Sequence, residues 1–177
     1  MKSEFVVEPK SRGTMRRLAY LFREELGLQD AVYFPIVELL DSMRDAFPEF
    51  TYEIVTDEEL PKNVHADTDI TRHHVRIKES VYDGAVEGSG RDRMTIAHEL
   101  GHYVTLCICG FTLARNFGEE DVPAYKSPEW QAKCFAGELM VAEHLTRDMS
   151  VEEIVESCGV SEEAAAYQYK KMHEEDN

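Results

Sequence analysis

Most apolar residues in the chain recur at helical spacing, and one short run alternates. Met15, Leu18, Phe22 and Leu26 form a stripe over Thr14–Leu26, with Gly27 as a stop. Pro35 fits the first turn of a second helix, in which Ile36, Leu39, Leu40, Met43 and Phe47 share a face until Pro48. "FTYEIV", Phe50–Val55, has strand composition. A polar stretch with Pro61, Asn63, Asp67 and Asp69 follows. Then "HHVRIK" alternates, with Val75 and Ile77 on one face and Arg76 and Lys78 on the other. The two runs predict a small antiparallel sheet. "VYDGAVEGSG" is broken by glycines and predicts a turn or short helix.

The second half reads as more helical. Arg91–Leu106 predicts a helix, and Gly110–Ser127 a long acidic loop with Gly118 and Pro123 as breakers. "SPEWQAKCFAGELMVAEHL" predicts one continuous helix, capped by Ser127 and begun by Pro128. Val151–Ser157 and Ser161–Met172 close the chain as a helical pair, within residues 147–173, across the turn Cys158-Gly159-Val160. The expected fold is α+β and mostly helical, one domain over residues 1–177.

Composition narrows the class. Apolar residues are 43% of the chain, enough for a core, and charged residues are 31%. No run has the length of a signal peptide or a membrane span, so a cytoplasmic protein acting away from membranes is expected. Cys107 and Cys109 form C-x-C, not the C-x-x-C of zinc knuckles, and with Cys134 and Cys158 they read as small reduced hydrophobes. The net charge of −16 repels phosphate backbones, which argues against direct nucleic-acid binding. The last two helices have the look of a helix-turn-helix. Glu152, Glu153, Glu162 and Glu163 set them against phosphate, so they read as packing helices.

The chemistry lies in "RDRMTIAHELGHYVTL". A residue four along a helix returns to nearly the same azimuth, so His98 and His102 can grip one ion. Glu99 is offset by roughly 100°. It suits a general base beside a metal-activated water more than a ligand. A zinc ion there would polarise a carbonyl and lower the pKa of water toward about 7, with Glu99 taking the proton. Ile96, Leu100 and Val104 supply the core stripe of this helix, and Gly101 lets a neighbour approach closely.

Catalytic zinc usually takes three protein ligands. Glu119, Glu120, Asp121, Glu129, Glu138 and His144 are candidates for the third. Glu129 is the best of them, because it continues the Ala132, Phe135, Ala136, Leu139, Met140 stripe at the first turn. An acid aimed at the core needs a cation. Glu138 lies on another face and reads as exposed. His65, His73, His74, Tyr103 and Tyr125 are candidates to stabilise an oxyanion, and Arg91 and Arg93 read as solvating the start of the histidine helix.

Three segments, "HVRIKESVYDGA", "RDRMTIAHELGHY" and "EWQAKCFAGELM", together resemble the ImmA/IrrE family of zinc metallopeptidases, over roughly residues 30–142. Two positions depart from the family pattern: Val141 stands where proline usually follows Leu-Met, and "VTLCICG" holds no histidine after H-E-x-x-H. The resemblance implies zinc held by His98, His102 and Glu129, with Glu99 as general base. It implies a small antiparallel sheet packed beside the H-E-x-x-H helix. It also implies a regulatory protease whose protein substrate is a DNA-binding, helix-turn-helix repressor. The competing function is a non-catalytic regulatory binding protein whose zinc site is structural.

Overall fold

The computed structural model describes residues 5–115 and 121–174. The fold is α+β and mostly helical, as expected. The chain enters through a three-residue strand, β1 (Phe5–Val7), that its sequence does not announce. Ser11 then caps α1 (Arg12–Glu25) by accepting from the Thr14 amide at 3.1 Å. Met15, Ala19 and Phe22 of α1 are buried. In α2 (Ile36–Ala46) the face of Ile36, Leu39, Leu40 and Met43 is buried too. This helix stops at Phe47, because the residue before Pro48 is pushed out of the helical region.

The sheet differs from expectation in topology. It has three strands: β2 (Thr51–Val55), β3 (Ala66–Asp69) and β4 (His74–Lys78), in the order β2-β4-β3. The strands read from the sequence, β2 and β4, pair in parallel rather than antiparallel. Parallel neighbours need a crossover of about a dozen residues or more, and residues 56–73 supply it. The polar stretch inside that crossover forms β3, antiparallel to β4, where Asp67 faces Arg76 in register and pairs with it. Val75 and Ile77 are fully buried. Lys78, expected on the polar face, is buried as well, its Nζ donating to the Pro61 carbonyl at 3.0 Å.

After α3 (Glu79–Val86), Ser89 caps α4 (Gly90–His102). Ile96, Ala97 and Leu100 of α4 enter the core. A π-helical turn, Tyr103–Ile108, continues it directly and buries Tyr103 and Val104. Within the expected acidic loop, β5 (Leu113–Arg115) pairs antiparallel with β1. The helix starting at Pro128 is shorter than expected. α5 (Pro128–Met140) breaks at Val141, and a separate turn, α6 (Glu143–Thr146), follows. The C-terminal pair is α7 (Val151–Cys158) and α8 (Glu162–Glu174). Ser150 and Glu153 form a capping box at the start of α7, and Gly159 ends it at φ 62°. Among the described residues, no helix is long and apolar enough to cross a membrane.

Three buried charged groups lock the helices together. Arg93, expected at the surface, is 1% exposed. Its guanidinium donates to the carbonyls of Gly159 (2.9 Å) and Phe34 (2.8 Å) and to the Tyr33 hydroxyl, tying α4 to the turn after α7. Arg23 of α1 donates to the Leu139 carbonyl of α5 at 2.5 Å and stacks over Phe34. Glu138, also expected at the surface, is buried between two arginines of α1, Arg12 at 2.6 Å and Arg16 at 2.9 Å. Its countercharges come from a distant segment, so α5 alone gives no sign that the acid is satisfied.

α4 packs closely on α5. A Cβ on Gly101 would stand 2.7 Å from the Ala132 carbonyl oxygen. The expected outcome for Gly101→Ala is therefore a loss of about 1–3 kcal/mol from forced separation of the two helices, read as a lower urea midpoint. An unchanged midpoint would mean that this contact does not set the helix spacing.

Candidate metal centre

The α4–α5 contact places one side chain of α5 against two of α4. His98 and His102, one turn apart, bring their Nε2 atoms to 3.2 Å from each other, with the rings edge to face. Glu129, in the first turn of α5, spans both: Oε2 lies 3.3 Å from His98 Nε2 and Oε1 3.2 Å from His102 Nε2. The three residues form a group whose ligand atoms all lie within 4.8 Å. Two imidazole nitrogens and a carboxylate suit zinc. Around a tetrahedral ion with Zn–N of about 2.0–2.1 Å, neighbouring ligand atoms stand roughly 3.3 Å apart. The observed separations match that spacing, so the residues fit the metal.

Glu129 was expected to point at the core. It instead lies at the rim, with 54% of its side chain exposed. Hydrogen bonds from His102 and His98 hold its carboxyl well below the usual carboxylate range, so it is ionised at neutral pH, as a ligand must be. The Nδ1 of His98 is buried and meets no hydrogen-bond partner among the described residues.

Glu99 is not part of the group. It is buried beside it, where the hydroxyl of Thr68 on β3 donates to Oε2 at 2.7 Å and approaches the Glu99 carbonyl at 3.2 Å. Thr68 was not visible as a functional residue. It sits in a stretch that reads as polar linker, and a single threonine carries no motif.

The other candidates lie elsewhere. Glu138 is held by Arg12 and Arg16. His144 stands on α6, bonded to the Gln29 carbonyl at 2.9 Å and edge-on to Tyr20. Asp121 is exposed and outside the group. Glu119 and Glu120 lie outside the described residues. Tyr103 is buried against Phe50, its hydroxyl 3.3 Å from His73 Nδ1, and His74 bonds to Thr51. Tyr125 is exposed. His65 lines a cleft that reaches the metal centre. None of the four cysteines joins the group.

Two clefts meet at the site, and His98, Glu99 and Glu129 line both. One, of about 350 Å³, has Phe5, Ile70, Leu106 and Leu113 as its apolar wall. The other, of about 800 Å³, runs between α4, α5 and α8. The centre is thus open on two sides. No protein-family model, curated protein or solved structure matches the chain.

The geometry predicts one divalent transition-metal ion per chain by elemental analysis. Glu129→Ala should weaken binding by at least about tenfold, a loss that even outer partners of such sites incur. Unchanged affinity in that variant would remove Glu129 from the ligand set.

Proposed function

We propose that the protein is a zinc-dependent metalloendopeptidase that cleaves a protein substrate, a helix-turn-helix DNA-binding repressor. The observation that carries the reading is the convergence of His98, His102 and Glu129 with Glu99 beside them, at the junction of two open clefts. Bound zinc supplies a Lewis acid that polarises the scissile carbonyl and lowers the pKa of water toward about 7.

The protein's own groups do the rest. Thr68 holds Oε2 of Glu99 and fixes the carboxylate. Oε1 accepts the proton from the attacking water, and Glu99 then passes it to the leaving nitrogen. β3 is the last strand of its sheet and borders the smaller cleft through Asp67 and Thr68. An extended substrate segment hydrogen-bonds along that edge and crosses the metal centre.

A structural zinc is normally closed by four protein ligands. Here three side chains converge among the described residues, and the third is half exposed. That arrangement favours catalysis over a staple. The substrate class draws on the resemblance of the H-E-x-x-H segment and "EWQAKCFAGELM" to ImmA/IrrE metallopeptidases, proteases that act on repressors. The charge of −16 supports it, attracting a basic DNA-binding protein over distance and opposing DNA itself.

Glu99→Gln should retain the fold and zinc content, since Glu99 is not a ligand, and lose nearly all peptidase activity. Equal processing by wild type and variant would leave a binding protein with a structural zinc. Incubating the zinc-loaded protein with a helix-turn-helix repressor, and mapping fragments by mass spectrometry, should show one or a few cuts in an exposed segment. Indiscriminate digestion of unrelated unfolded proteins would contradict the regulatory reading.

A further inference from the structure

The larger cleft carries as many basic as acidic side chains, in a chain that is acidic as a whole. Arg91 of α4 and Lys133 of α5 line it, and both are exposed. Neither meets a carboxylate among the described residues. The guanidinium of Arg91 reaches only His65, with Nη2 3.3 Å from Nε2. The chain has 35 acidic and 19 basic residues, so acids to pair with are plentiful. Arg12, which also lines the cleft, is already committed to Glu138, and among the described residues Glu163 on α8 is the one acid that lines the cleft away from the metal centre. Trp130 and Tyr167 supply flat apolar wall between these charges.

The spacing from the metal ligands is defined by the helices. Arg91 precedes His98 by seven residues and Lys133 follows Glu129 by four. At about 1.5 Å of rise per residue, the cations stand roughly 6–10 Å along the helices from the ligands. An extended chain covers that distance in about two or three residues at roughly 3.3 Å each.

We propose that this cleft receives an acidic segment of the substrate, with Arg91 and Lys133 holding an Asp or Glu two or three residues from the cleaved bond. An apolar side chain on the other side of the bond enters the smaller cleft. The proposal rests on the peptidase reading, and it narrows the substrate class from any exposed segment to an apolar–acidic one. The two charge scales act on different parts of one partner. The far field draws a basic DNA-binding face, and the cleft selects an acidic stretch elsewhere in the same protein.

Trp130 is the only tryptophan in the chain, so its emission reports on this cleft without any cleavage. The test uses the full-length, zinc-loaded Glu99→Gln protein. The probes are synthetic Gly/Ser peptides of about ten residues with one Leu and, three positions away in either order, Glu, Gln or Lys. Binding is read by Trp130 fluorescence and, in parallel, by calorimetry. In one of the two orders, the Glu peptide should bind about tenfold more tightly than its Gln counterpart, as charge-assisted hydrogen bonds would give, and the preference should shrink with salt. Arg91→Gln with Lys133→Gln should abolish the preference and leave the zinc content unchanged. Equal or weaker binding of the Glu peptides, no binding of any peptide, or a preference that survives the double substitution would each overturn the assignment. If the acid preference holds but zinc-loaded wild type cuts none of the peptides or the repressor, the cleft stands and the peptidase reading falls. If wild type cuts Glu and Lys peptides alike, the reverse is true.

Discussion

The contact between Gly101 and Ala132 sets the distance on which the site depends. α4 carries both histidines and α5 carries the glutamate, so the metal group exists only while the two helices lie this close. A side chain at position 101 would press directly on the Ala132 backbone. Packing density, more than any polar interaction, decides whether Glu129 reaches His98 and His102. The same small residues explain why a helix that buries most of its faces can still present an acid at its first turn.

Buried charges hold the frame around that contact. Arg23 joins α1 to the end of α5, Glu138 joins α5 back to α1, and Arg93 joins α4 to the turn that precedes α8. Each is desolvated and each is matched by carbonyls or an opposite charge, the condition under which a buried ion is tolerated. Burial pushes the guanidinium pKa of Arg23 and of Arg93 downward. The C-terminal pair is thereby fixed against α4 and α5. α8 becomes a wall of the larger cleft.

The legible parts of this structure are those set by local periodicity. The apolar stripes of α1, α2, α4 and α5 place their residues in the core, and the four-residue spacing of His98 and His102 brings their nitrogens together. Glu129 was legible because it continued a stripe, although it ends at a rim rather than in the interior. What escaped reading depends on partners distant in the chain. β1 and β5 are three residues each and exist only by pairing with one another. The parallel register of β2 on β4 is decided by the crossover, not by the alternation of either strand. Glu138 and Arg93 carry charge that the sequence alone assigns to solvent, because their partners lie on other elements. Thr68 acts through one hydroxyl placed by the sheet edge.

Whether His98, His102 and Glu129 hold the metal is the central question, and X-ray absorption at the zinc edge addresses it most directly. The account predicts two imidazole nitrogens at about 2.0–2.1 Å and oxygen ligands at a similar distance, with no sulfur. A sulfur shell at about 2.3 Å, or the absence of imidazole scattering, would contradict it and move the metal to the cysteines or to another set of acids.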